Sequence, residues 1–310
     1  MQNVKKPSSS FGRFRKALRH WQLYVMTLPA VVYIFLFAYK PMYGVIIAFK
    51  DYSLRKGILG SEWVGFDNFE RFFNSYWFPI ILKNTITISV LSLILSFPIP
   101  IILALMVNEI KKERVKRLFQ TVSYAPYFIS TVVICGMITM FLNPSTGIIN
   151  TFIQALGFEP VYFMQDSGMF KWVYVISGIW QGSGWGAIIY FAALSGVDQS
   201  LLEAAEIDGA GRFQRIIYIN FPVLVPTIII LFILNCGSLL NVGYEKVYLL
   251  QNTTNLTGSE VISTYVYKMG LENQDFSFST AAGLFNSVIN SIILIVANMI
   301  SRRFSEVSLW

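Results

Sequence analysis

Residues 203–222 read EAAEIDGAGRFQRIIYINFP, and they carry Glu203, Glu206, Asp208, Arg212 and Arg215 in a chain that is otherwise built of long apolar runs. Over its 310 residues the chain is 55% hydrophobic and only 13% charged, against about 25% charged in an ordinary soluble domain. Such a composition belongs to the bilayer, where about 20 apolar residues cross as a helix because every backbone N–H and C=O must be satisfied within the segment. The quoted stretch is therefore a place where the chain leaves the membrane.

Apolar runs and their breakers predict six spans, at 23–49, 84–108, 118–142, 171–194, 222–250 and 279–300. The first contains Lys40-Pro41, where a kink or an early exit is expected, and the second contains Phe97-Pro98-Ile99-Pro100. Proline inside a span frees backbone groups for neighbouring helices, so this helix is expected to sit in a bundle. The first run is too long for the core of a signal peptide and has no small-residue cleavage site. The division that follows is a basic N-terminal segment 1–22, a transmembrane region 23–300 with a loop at about 195–221, and a tail 301–310.

Basic residues set the orientation. Lys5, Lys6, Arg13, Arg15, Lys16 and Arg19 precede the first span, and Lys111, Lys112, Arg114, Lys116 and Arg117 follow the second. Arg212 and Arg215 precede the fifth, and Arg302 and Arg303 follow the sixth. These are most of the 24 lysines and arginines, and by the positive-inside rule they place both termini in the cytoplasm. The net charge of +7 is thereby explained without nucleic acid. His20 stands alone beside the first span, and Cys135 and Cys236 lie in apolar runs, so neither a metal cluster nor a disulfide framework is indicated. In the outer loops, the aromatics of WVGFDNFERFF (63–73) have helical spacing, as in a helix on the membrane surface. Asn252-Thr253-Thr254 and Asn255-Leu256-Thr257 have the form of glycosylation sites, a pattern that chance supplies readily.

In this topology the opening stretch faces the cytoplasm between the fourth and fifth spans. Leu201–Asp208 is rich in helix formers, Asp198 or Ser200 can cap its start, and Gly209 and Gly211 end or bend it. Ala204 and Ala205 give a smooth knob with Glu203, Glu206 and Asp208 around it, while Phe213, Ile216 and Ile217 are placed to anchor the return before Pro222. An interfacial loop helix and a docking helix fit these properties equally.

The spacing E-A-A, three residues, Gly, nine residues, Ile, one residue, Leu-Pro is met by Glu203-Ala204-Ala205, Gly209, Ile219 and Pro222. It resembles the EAA loop of ABC importer permeases, with Phe221 where leucine is usual. DGAGRFQ (208–214), LPAVVYIFLFAYKPMYGVIIAFKDY (28–52) and the GFDNFERFF after it resemble the carbohydrate-importing, maltose-type branch. The ending SEVSLW (305–310) is similar to the oligosaccharide and polysaccharide permeases of Gram-positive bacteria.

The resemblance implies an all-α integral membrane protein of the bacterial cell membrane, a six-helix bundle of the type I ABC importer permease kind. It implies that Glu203, Ala204, Ala205, Asp208 and Gly209 form a coupling helix seated in a cleft of a cytoplasmic ATPase. It also implies a second homologous permease subunit and an extracellular lipoprotein that delivers the sugar; surrounding lipid completes the set of partners. A P-loop needs Gly-Lys before Ser or Thr, and Gly-Lys occurs nowhere in the chain. The chain is thus expected not to be an enzyme and to bind no cofactor, with ATP and magnesium held by the partner.

A sugar path needs polar and aromatic side chains within the bundle. The fifth span offers Asn235, Ser238, Asn241 and Glu245, which at about 100° per residue share one face within about 120°, with Tyr244 nearby. The sixth offers Asn286 and Asn290, with Ser287 and Ser291 on the same side, and GIWQGSGWG (178–186) in the fourth offers Trp180 and Gln181. Interhelical hydrogen bonds account for the same polar residues. Lys246 is positioned to snorkel beside Glu245 at the outer end of the span. Two other functions compete with the permease: an ion-gradient transporter using Glu245, and a membrane scaffold or sensor that keeps the loop for binding.

Overall fold

The computed structural model describes residues 21–304 and 307–310. The basic segment before Trp21, and Ser305 and Glu306 of the tail motif, lie outside the described residues.

The first apolar run is a single helical segment, α1 (Trp21–Phe49). Pro41 does not end it. The helix widens to a π turn over Phe35–Tyr39, which absorbs the missing proline N–H, and tightens to 3₁₀ over Tyr43–Phe49. A two-residue ribbon, β1 (Lys50–Asp51) against antiparallel β2 (Glu62–Trp63), leads to α2 (Asp67–Phe73). A helix does form there, and one of its aromatics is structural. Phe72 is fully buried against Phe78, Phe278 and Phe285.

The second span runs as α3 (Phe78–Ser96) and α4 (Pro98–Asn108), with its break at the Phe97-Pro98 step. The third is not one rod: α5 (Glu113–Tyr124), extended by a 3₁₀ turn to Phe128, meets α6 (Thr131–Phe141) at 96°. An outer helix, α7 (Ile148–Ala155), follows, and then α8 (Phe170–Leu194). At 25 residues α8 is long enough to span, but its glycines, serines and Gln181 leave it less apolar than the rest. Those glycines serve packing at one point: a Cβ on Gly184 would run into the Ser123 carbonyl, so only glycine lets the end of α5 lie on α8.

After the loop helix α9 (Gln199–Ile207) comes α10 (Arg212–Gly237), which stops well short of the expected 250. The chain unwinds over Ser238–Gly243 and resumes as α11 (Tyr244–Leu250). α12 (Ile262–Tyr267) precedes the last helix, α13 (Phe276–Phe304), of 29 residues. Among the described residues, four helices are long and apolar enough to cross a bilayer, and five if the bent pair counts as one span.

The core lies where α4, α8 and α10 meet, around Ile101, Ala104, Tyr190, Leu194 and Leu224. A second cluster, with Phe72, Ile81, Ile262, Phe278 and Ala282, ties α2, α3 and α12 to α13. Trp21–Met42, by contrast, buries no residue against the chain.

Candidate functional site

The 201–222 stretch forms what its composition predicts. Asp198 is the N-cap of α9, its carboxylate accepting from the Ser200 N–H at 2.9 Å, and that bond holds its carboxyl below the usual range. At the other end Gly209 takes φ +81°, which lets Ala210 N–H donate to Ala205 O (2.8 Å) and Gly209 N–H to Glu206 O (3.1 Å). This pair of bonds is a Schellman close, and it depends on the left-handed residue being glycine. Between the caps Glu203, Ala204 and Asp208 are exposed and Ala205 half-buried, and Ile207 is 86% exposed. Only Leu202 turns inward, onto the α4–α8–α10 core. Of the three apolar residues expected to anchor the return, Ile216 packs there, Ile217 is half out, and Phe213 is 73% exposed rather than packed in the bundle.

Inside the bundle a cavity of about 540 Å³ is bounded by α3, α4, α8, α10 and the unwound turn after α10. Asn235, Ser238 and Asn241 all line it, but not as one helical face, because the helix stops at Gly237. The helical-wheel expectation for Asn241, Tyr244 and Glu245 fails for that reason. Asn241 reaches the cavity because its Oδ1 accepts from both Asn286 Nδ2 (2.9 Å) and Asn290 Nδ2 (3.0 Å) of α13. Asn290 Oδ1 in turn accepts from Leu240 N–H at 2.9 Å. Asn286 and Asn290 thus pin the unwound turn rather than line the cavity.

The remaining sequence candidates lie elsewhere. Tyr244 stacks on Tyr267 at 5.0 Å, and Glu245 is exposed. Lys246 does not snorkel: it is buried, its Nζ donating to the Tyr174 carbonyl at 3.3 Å and lying 5.1 Å over the Tyr174 ring. Trp180 lines a separate, apolar groove between α6 and α8, and Gln181 lines neither. Of the two tryptophans in GIWQGSGWG it is Trp185 that faces the polar cavity, stacked on Tyr127 at 4.5 Å.

The sequence reading missed the opposite wall. Ser89, Ser92 and Ser96 of α3 line the cavity, and their spacing of three and four places them within about 60° of one face. Ser89 is 5% exposed, and its Oγ has no hydrogen-bond partner among the described residues. A polar stripe in an otherwise apolar helix was the available signal. The cavity thus offers hydroxyls, amides and the rings of Tyr174 and Trp185, with no charged side chain among its lining residues. Such a surface binds hydroxyl-rich, neutral groups by hydrogen bonds and ring stacking. The isolated Asn255 sequon is structural as well: Asn255 is fully buried, donating to Met164 O and Leu250 O.

Comparison with known proteins decides the class. Residues 96–306 match the family described as binding-protein-dependent transport system inner membrane components. The chain belongs to this family. It is 44% identical to Protein LplB of Bacillus subtilis over 93% of this chain and 91% of that one. It is 41% identical to the polygalacturonan/rhamnogalacturonan transport system permease protein YteP of the same organism, over 94% and 91%. Its fold matches a chain of the bacterial alginate ABC transporter, crystallised with a periplasmic protein carrying an alginate pentasaccharide, at TM-score 0.87 and 40% identity, covering 96% of this chain and 99% of that one. The expectation raised by Glu203-Ala204-Ala205 is met: this is a multi-pass ABC permease component of a bacterial cell membrane.

Proposed function

We propose that this component passes an oligosaccharide into the cell by alternating access, receiving it from an extracellular binding protein and drawing power from a separate ATPase dimer. The observation that carries the reading is α9, a capped helix between α8 and α10 that presents Ala204, Ile207 and Asp208 outward. Its other side rests on the helices that wall the cavity. A second, homologous permease chain completes the path beside the 540 Å³ cavity, whose wall this chain supplies from α3, α4, α8 and α10. In this reading α8 is the fourth of six spans, both termini are cytoplasmic, and Glu203, Ala204, Ala205, Asp208 and Gly209 enter the ATPase cleft. ATP and magnesium belong to the partner, and this chain performs no chemistry.

An oligosaccharide cargo is supported by relatives named for polygalacturonan, rhamnogalacturonan and alginate, and by a lining of serine, asparagine and aromatic side chains. Uptake of labelled oligosaccharides by a strain lacking this chain tests the reading. Loss of uptake, restored by the wild-type chain and not by one with Glu203-Ala204-Ala205 deleted, is the expected result. Uptake that survives deletion of the chain contradicts it.

A further inference from the structure

α9 is lightly held. No other helix packs broadly against it, and apart from its chain connections it is tied by Leu202 and by one ionic cluster. The centre of that cluster is Arg215, in the first turn of α10 and 8% exposed. One guanidinium nitrogen lies 3.2 Å from Glu206 Oε2 on α9, and the other lies 3.2 Å from Glu109 Oε2. Glu109 is the C-cap of α4, and its second oxygen accepts from Asn220 Nδ2 of α10 at 3.0 Å. A fourth group, Lys111, meets Glu206 at 3.1 Å but is itself exposed, so this outer pair contributes little.

The three-way contact has a direction. α4 is 11 residues long, about 16 Å. Its far end, from Phe97 to Pro100, is cavity wall, and there Phe97 packs edge-on against Phe232 of α10 at 5.5 Å. A displacement of α9 that keeps both carboxylates on the guanidinium must carry the end of α4 with it. The fork geometry of arginine holds two carboxylates at fixed angles, which a lysine does not do; burial shields the Arg215–Glu109 pair from salt, while the Glu206 arm reaches solvent.

We propose that Arg215 is a positioning residue that passes the movement of α9 to α4 through Glu206 and Glu109, and so to the wall of the cavity. This rests on the reading of α9 as the motor's docking helix. It adds a route through α4 to the covalent route along α10. The test uses the whole complex, with its wild-type ATPase and sister subunit, in lipid nanodiscs. Spin labels are placed at Ile102 on α4 and at Leu201 on α9, and distances to a fixed label on the sister subunit are measured before and after trapping with ATP and orthovanadate.

In wild type both labels shift. In Arg215→Gln the α9 shift persists while the α4 shift falls to less than half, and Arg215→Lys recovers part of it. An α4 shift in Arg215→Gln equal to wild type overturns the proposal. If Arg215→Gln does not assemble, Glu109→Gln, which leaves Arg215 on Glu206, decides alone by the same criterion. Failure of the wild-type chain to bind the ATPase, or an α9 label that never moves, would instead remove the docking reading and the proposal with it.

Discussion

At the scale of single residues, the clearest determinants are those with no room for another side chain or no other hydrogen-bond partner. Gly184→Ala should lower the stability of the detergent-solubilised chain by about 1–3 kcal/mol, because its Cβ meets a backbone carbonyl that cannot rotate away. A melting temperature equal to wild type would show that α5 yields instead. Asn241→Ala removes the acceptor shared by Asn286 and Asn290 and should cost about 1 kcal/mol. Ser89→Ala behaves differently: it deletes a buried hydroxyl that bonds to nothing among the described residues, so the melting temperature should hold or rise. The KM for oligosaccharide uptake should nevertheless increase several-fold. An unchanged KM would take Ser89 out of the path.

Charge on the loop adds a pH dependence at the same scale. Glu206 is held below the usual carboxylate range, first by the Lys111 hydrogen bond and also by Arg215, and Asp198 by its Ser200 cap. A carboxylate whose folded value is depressed stabilises the fold above its unfolded value, about 4. It loses that contribution as pH falls through the folded value. The order of α9 should therefore be unaffected between pH 8 and pH 6, at roughly full ionisation of both groups, and should weaken only in stronger acid. Hydrogen exchange of the Ala204–Ile207 amides across that range checks it; protection that rises on acidification would contradict it.

At the scale of elements, most of the architecture was legible. α9 could be read with both of its caps, because Asp198 and Gly209 act locally. Long apolar runs gave α1, α3–α4, α10 and α13 for the same reason. The termination of α10 was not legible. Residues 238–250 keep enough leucine, valine and tyrosine to read as a continuing span and hold one glycine, and the turn is stabilised by asparagines of α13 that lie 45 and 49 residues further along the chain than Asn241. Tertiary hydrogen bonds of that range leave no local periodicity. Burial of Lys246 has the same origin, since its partner Tyr174 lies 72 residues away. The serine stripe of α3 was legible in principle from its spacing, and the weight of leucine and isoleucine around it hid it.

At the scale of the whole molecule, the fold is a cavity wall with a handle. α1 stands apart, with nothing between Trp21 and Met42 buried against the chain, while Tyr43–Phe49 packs along α13. Removing residues up to Met42 should leave the melting temperature of the rest within a few degrees of wild type, whereas cutting into the 3₁₀ turn should not. A large loss on the first truncation would show that α1 supports the bundle directly. The cavity, lined without charge, and the exposed helix α9 make sense together if one partner completes the path and another grips the helix.

The most direct measurement is uptake of labelled oligosaccharide by proteoliposomes containing this chain, its sister subunit, the ATPase and the loaded binding protein. Uptake should require ATP, survive a protonophore, and vanish when the exposed Ala204 is replaced by Glu to fill the docking face of α9. Uptake that proceeds without ATP and collapses with the protonophore, or that is indifferent to Ala204→Glu, would contradict the account.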